Sequence, residues 1–402
     1  MYSARVTDAN LERLESTLGF PLVRVDIPRV LDVMSDLQGL WTEEGLKRPL
    51  TREEQHFIRN ERIVSQQDFR YWANRYCVIQ KDGVEGGGIG RLNFWVSQEV
   101  VLEMIARREE RDVDALSRGE TADGCLIVDH KDRQVGHTML GRALAMHRLT
   151  TNPHTRGMAA SIDQSKVQEL YDRDKLIYDH LPWYMRPALT FDVKAEHLYF
   201  GAVNSRLLYQ QANQQSGLGQ GRQFDTAHLT EVASFPYPSM LEHDFFPTLP
   251  QNPYTLCILE STAQGRRNFW HEFTERVRRG RTARWIYCFV PYYVEPKKYR
   301  RTPPVGWTPS DLTMLHAKKV YESSREFTGR DVMLAKETLY WYETTRQEYQ
   351  ESGKLNLFLT NYAATPEESF QHTNLSAFST ETIEKLRLAT RSGTPYEVHT
   401  TA

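Results

Sequence analysis

The sequence predicts an α/β fold with a central, mainly parallel sheet flanked by helices, and three observations carry that prediction. From Tyr71 onward, short apolar runs alternate with longer helical stretches, as strands covered by helices do. Several runs, among them CLIVDH (125–130) and TLCILEST (255–262), are apolar on both sides, which suits strands buried under two helical layers. The run at 125–130 also passes through a short polar loop straight into an amphipathic helix.

Length and composition bound the rest. The 402 residues suffice for one large or two medium domains, each with a sizeable core. Hydrophobic residues make up 40% and charged residues 25%, and no apolar run approaches the roughly 18 residues needed to span a bilayer. No membrane association is expected. The N-terminus, MYSARVTDANLERLE, carries charge where a secretory signal has its apolar core, so a cytoplasmic location is expected. Cys77, Cys125, Cys257 and Cys288 lie far apart, mostly inside apolar runs, and read as reduced, buried thiols. A net charge of −2, from 50 basic and 52 acidic residues, excludes a polycation. Two local clusters are basic, 266–285 and EPKKYRR (295–301), and each reads either as a phosphate-facing stripe or as a solvated helix face.

In chain order, residues 1–68 are expected to form a charged, Pro-interrupted helical extension outside the core. Strands are expected at 125–130, 158–162, 197–203, 206–212, 227–232, 255–262 and 285–293. Helices are expected at 138–150, 163–180, 239–247, 266–279, 308–325 and 329–351. The Gly-rich, polar stretch QQSGLGQGRQ (214–223) reads as a mobile loop.

The most informative segment is CLIVDHKDRQVGHTMLGRALAMH, whose strand, loop and helix order is that of a P-loop. Such a loop aims backbone N–H groups and a helix N-terminus at a phosphate, while a hydroxyl in the first helical turn ligates Mg²⁺. Gly136 and Thr138 stand where those roles require. His137 replaces the usual lysine before the Ser/Thr, and Lys131 at the front of the loop could bring its ammonium onto the phosphates instead. An ordinary turn with a surface lysine fits the same residues.

The string KDRQVGHT resembles the variant P-loop of the large terminases of tailed bacteriophages, in which the lysine is often displaced to the start of the loop. The resemblance implies a P-loop NTPase of the ASCE/RecA-like class that binds ATP with Mg²⁺. It makes Lys131 the phosphate lysine, Arg133 a loop arginine near the γ-phosphate and Thr138 the magnesium ligand, with Gln134, Val135, Gly136 and His137 completing the loop. The segment HLTEVASFP (228–236) is similar to the family's carboxylate strand: Glu231 is implied as catalytic base or water-orienting residue, and Thr230, in place of the first acid, as a holder of a metal-bound water. TLCILESTAQG resembles the coupling motif, with Ser261, Thr262 and Ala263 at the strand end. LNFWVSQEVVLEMI (92–105) resembles the adenine-contacting segment, with Gln98 against the base edge. Arg222 falls where the family carries an arginine that reaches a neighbouring subunit's ATP, although a flexible loop arginine reads equally well there. ATPEESFQHT (364–373) resembles the segment that closes the ATPase domain.

The resemblance spans roughly 70–380 in five ordered patches. It implies an ATPase domain over 69–380 and a linker stub over 381–402, ahead of a nuclease domain not expected in this chain. The implied activity is ATP hydrolysis driving double-stranded DNA into a procapsid in the host cytoplasm. The implied partners are the portal protein, the small terminase subunit and further copies in a homo-oligomeric ring, with an isolated domain possible as a monomer. Other expectations from the same residues are a helicase-like translocase and a degenerate nucleotide-binding scaffold without turnover.

Overall fold

The computed structural model describes residues 34–81, 87–213, 217–295 and 298–370. Two small antiparallel pairs precede and flank the main sheet: β1 (Trp41–Thr42) with β2 (Gly45–Leu46), and β3 (Val78–Gln80) with β4 (Ile89–Arg91). The main sheet contains β5 (Cys125–Lys131), β6 (Arg156–Ser161), β7 (Leu189–Val193), β8 (His197–Phe200), β9 (Ser205–Gln211), β10 (Thr226–Thr230), β11 (Leu256–Ser261) and β12 (Trp285–Val290). Its eight strands lie in the order β12-β5-β11-β10-β6-β9-β8-β7. Every neighbouring pair from β12 to β9 is parallel, and β8 and β7 add an antiparallel edge.

Period-2 alternation sorts the central strands into two cores. Cys125, Ile127, Leu256 and Ile258 face one side, and Leu126, Val128, Cys257 and Leu259 the other. The first side is covered by α1 (Arg52–Gln67), α2 (Phe69–Tyr76), α3 (Val96–Ser117), α4 (His137–Thr151) and α5 (Gln164–Asp179). The second carries α6 (Phe269–Arg278), whose Trp270 and Phe273 are buried against it. The chain continues through α7 (Asp311–Thr328), α8 (Lys336–Glu351), α9 (Leu355–Asn361) and α10 (Pro366–Ser369).

Helix starts follow local chemistry. Thr51 and Glu54 form a capping box at α1, and Asp163 and Asn268 cap α5 and α6 through their side chains. The position of α4 is fixed by a buried ion pair: Arg142 donates to both Asp174 oxygens on α5, at 2.9 and 2.6 Å, and Tyr209 of β9 donates to Asp174 at 2.6 Å. All four cysteines are buried and free. Among the described residues no helix is long and apolar enough to cross a membrane.

Three expectations are corrected. Residues 34–68 are not an appendage: Leu37 and Ile58 belong to the core, and the Leu37 carbonyl accepts from Trp183 Nε1 at 2.8 Å. Most of the charge that suggested an extension lies on the outer face of an amphipathic α1; Glu61 is buried and accepts from the Tyr71 and Tyr76 hydroxyls. The helix expected at 239–247 is instead a five-residue π turn, Leu241–Phe245, followed by a 3₁₀ turn, Phe246–Thr248, because Pro247 cannot continue an α-helical hydrogen-bond ladder. In the loop expected to be mobile, the described part is anchored: Leu218 is buried, and the Gly217 and Gly219 amides donate to Asp244 and Gln210. Residues 1–33, 82–86, 214–216, 296–297 and 371–402, which include the expected linker at 381–402, lie outside the described residues.

Candidate nucleotide site

Parallel strands bring their carboxyl ends to one edge of the sheet, and the residues of interest gather there. β5 ends at Lys131, the loop 132–136 follows, and α4 begins at His137. The loop turns through two left-handed residues, Gln134 at φ 59° and Gly136 at φ 77°. Gly136 is needed twice over: its φ disfavours a side chain, and a Cβ there would lie 2.9 Å from Gln98 Nε2 and 3.1 Å from the Trp95 ring. The first N–H groups of α4 have no partner within the helix, which leaves an anion-ready turn.

Register places three polar residues side by side across the sheet: Asp129 of β5 pairs with Glu260 of β11, and Glu260 with Thr230 of β10. Glu260, 1% exposed, is the hub. Its Oε1 accepts from the Thr138 hydroxyl and lies 3.4 Å from Lys131 Nζ, while its Oε2 meets His228 Nε2 at 2.9 Å. Burial alone would raise the Glu260 pKa. Lys131, His228 and Thr138 outweigh it and hold the group below the usual carboxylate range. Burial likewise opposes the charge on Lys131, but Glu260 first, then Asp129 and Glu231, raise its pKa above the ordinary lysine value. The site is thus ionised on both sides. The helix admits this hub through Gly141, where a Cβ would stand 2.6 Å from His228 Nδ1 and 2.7 Å from its Nε2.

The sequence-derived candidates divide. Lys131 and Thr138 come together with Glu260, and Gly136 supplies the left-handed turn between them. Arg133 and Gln134 are exposed at the loop tip, where the Arg133 carbonyl accepts from Tyr299 and the Gln134 carbonyl from Lys298. Glu231 follows β10 directly, partly exposed, at φ 59° and ψ 36°. Ser261 accepts the Ala233 amide at 3.1 Å, and Gln264 donates to Ser234, so the end of the coupling strand, with Thr262 and Ala263, is tied to the turn that carries Glu231.

Two expected roles, those of Gln98 and Thr230, are corrected, and two side chains of the loop turn inward. The Gln98 amide is not offered to a base. It is 3% exposed, its Oε1 accepts Trp95 N at 3.0 Å, and its Nε2 donates to the Gly136 carbonyl at 2.8 Å, so it buttresses the loop. The His137 ring turns inward, with Nδ1 2.7 Å from Asp129 and Nε2 3.1 Å from the Ser97 carbonyl, so its backbone, not its ring, belongs to the loop. The Val135 side chain is fully buried, so only its backbone faces the loop's chemistry. The Thr230 hydroxyl donates to Ser161 on β6 at 2.9 Å, on the far side from Thr138, and is not placed to hold a metal-bound water.

Arg222 lies at the other end of the sheet, exposed, lining a cavity with Arg156 and Arg206 at the starts of β6 and β9. It is therefore remote from its own chain's loop. Much of the basic charge at 266–285 and 295–301 is answered within the fold. Arg276 pairs with Glu242, Arg278 with Glu326 and Glu367, and Arg301 with Glu348.

Glu260 and His228 were missed from the sequence. The available signal was an acid inside an otherwise apolar strand, CILES, because a carboxylate enters such a core only with partners.

No family model and no curated protein matches this chain. Solved structures do. The HK97 bacteriophage large terminase matches at TM-score 0.47 and 12% identity, over 74% of this chain and 54% of its own. The Thermus phage P74-26 large terminase ATPase domain matches at TM-score 0.37 and 16% identity, over 59% of this chain and 87% of its own. The large terminase of a thermophilic bacteriophage, in complex with ATP-gamma-S, matches at TM-score 0.33 and 9% identity, over 53% of this chain and 49% of its own. The matched region thus spans about half of the HK97 chain.

Proposed function

We propose that this chain is the ATP-hydrolysing motor portion of a tailed-phage large terminase, translocating double-stranded DNA into a procapsid. One observation carries the reading: Lys131, the Thr138 hydroxyl and an ionised buried carboxylate meet where a parallel strand enters a helix through a left-handed turn. The five ordered sequence patches give that geometry its family.

The residues fit a nucleotide with Mg²⁺. The turn offers backbone N–H groups and an ammonium to phosphates, and Thr138 with Glu260 offers the hard oxygen donors that the ion prefers. When bound, Mg²⁺ neutralises charge on the β- and γ-phosphates. Lys131 leaves Glu260 for the phosphates, and Arg133, exposed at the loop tip, adds a second positive charge. Glu231 orients the attacking water. Its left-handed backbone, unusual for a glutamate, is a strain of the kind concentrated at functional positions. The Ser261–Ala233 bond then carries movement of the Glu231 turn into β11 and on toward α6. Arg222, remote from its own site, serves a neighbour's nucleotide in a ring on the portal protein, with the small terminase subunit as a further partner.

A second reading has an observation of its own: with His137 turned inward and Thr230 directed at Ser161, two positions of the expected pattern do not contribute, which favours a nucleotide-binding scaffold without turnover. Steady-state ATPase activity of the parent, Lys131→Ala and Glu231→Ala, over a range of protein concentration and with and without duplex DNA, separates the two. The motor reading expects turnover that both substitutions abolish and that rises per molecule with concentration. A parent inactive at every concentration overturns it in favour of the scaffold.

A further inference from the structure

We infer that Glu260 is the carboxylate that supports the divalent cation at Thr138, taking from the coupling strand the role that Thr230 leaves vacant on β10. The inference rests on the nucleotide-site reading above and names a residue that the sequence motifs do not assign.

The register makes the case first. Thr230 and Glu260 are direct neighbours across β10 and β11, so the acid absent from one strand stands at the same level on the next, one strand closer to the loop. On β11 it lies beside β5, within hydrogen-bond reach of the hydroxyl expected to ligate the ion, whereas Thr230 donates away from that hydroxyl, to Ser161.

Charge makes the case independently. A buried carboxylate is tolerated only with a positive partner, and here Lys131 supplies it at 3.4 Å. When Lys131 moves onto phosphates, Glu260 loses that partner. A divalent cation at Thr138 restores the balance without protonating the carboxylate. Binding of nucleotide is therefore an exchange of cations at one buried anion. His228 keeps the carboxylate in place throughout, its Nε2 at 2.9 Å from the oxygen that Thr138 and Lys131 do not use.

The consequence is mechanical. In this arrangement the cation-supporting carboxylate and the coupling residues Ser261 to Ala263 share one strand end, so the state of the nucleotide acts directly on the segment that leads to α6.

The test is equilibrium binding of a fluorescent ATP analogue to the full chain, in EDTA and in excess Mg²⁺, for the parent, Glu260→Gln and Glu260→Asp, with folding of each checked by circular dichroism. The parent is expected to bind more tightly with Mg²⁺. Glu260→Gln should lose that gain, taken as the ratio of its own affinities in Mg²⁺ and in EDTA, by about tenfold or more, the usual effect of removing a carboxylate that supports a metal. Glu260→Asp, which retains the charge, should keep part of the gain. A folded Glu260→Gln protein with the parent's full Mg²⁺ gain overturns the inference and leaves the nucleotide site standing. A parent that binds nothing in either buffer overturns the nucleotide-site reading itself. Should Glu260→Gln fail to fold, Glu260→Asp decides: an undiminished Mg²⁺ gain there counts against the inference, and a reduced one supports it.

Discussion

Gly141→Ala offers a sharp test of the packing around the hub, because two opposing effects of known size meet at one methyl group. Glycine in a helix interior is less favourable than alanine by about 1 kcal/mol, so on propensity alone the substitution stabilises α4. The new Cβ, however, would stand 2.6 and 2.7 Å from the two nitrogens of the His228 ring, and closer still to its Cε1. Overpacking of that kind costs about 1–3 kcal/mol. The ring has nowhere to retreat: His228 is 1% exposed and is held by Glu260 at 2.9 Å. Displacing it also weakens a hydrogen bond to a charged group, worth about 1.5–3 kcal/mol. The net expectation is a loss of about 2–4 kcal/mol. Urea unfolding measures it: the midpoint should fall with an unchanged slope. A midpoint equal to or above the parent's would refute the close approach of α4 to His228 and, with it, the geometry assigned to Glu260.

Other outcomes follow from the same contacts. Asp174→Asn strands the Arg142 guanidinium in the core, so unfolding free energy should drop by about 3–5 kcal/mol, and a drop under about 1 kcal/mol would contradict the buried pair. Gln98→Leu removes the donor to the Gly136 carbonyl and should weaken ATP and GTP binding alike. A selective loss for ATP would restore the base-reading role instead. Burial pushes the pKa of His130 down to about 3, and those of His147 and His316 down to about 4. With unfolded values near about 6.5, the unfolded chain binds more protons below that pH, so stability is full above pH ~6.5 and lost as pH falls toward 4. At pH 5 the loss is on the order of 2 kcal/mol per histidine, and a urea midpoint unchanged between pH 7 and 5 would contradict it.

The fold was legible where local pattern and tertiary burial agree. The doubly apolar runs at 125–130 and 255–262 became β5 and β11, and the polar turn into a helix became the loop and α4, although α4 is not amphipathic as expected: residues 140–150 are all buried. Legibility failed where the cause is long-range. Glu260 meets Thr138 and His228 across sequence separations of 122 and 32 residues, and no local motif encodes such a meeting. Gln98 and His137 carried the right chemistry for a ligand, but which way a polar side chain turns depends on whether the fold offers it a partner, here Gly136, Asp129 and Ser97. The edge strand β7 was missed although Leu189, Phe191 and Val193 alternate with Thr190 and Asp192; the run is only five residues long and mostly exposed at the sheet edge.

Amide hydrogen exchange over residues 125–140, with and without ATP and Mg²⁺, addresses the central claim most directly, since it reads the loop itself and not turnover. Slowed exchange confined to the loop and the first turn of α4, and absent in Lys131→Ala, is the predicted result. Exchange unchanged by nucleotide at saturating concentration would contradict a phosphate-binding role for this turn.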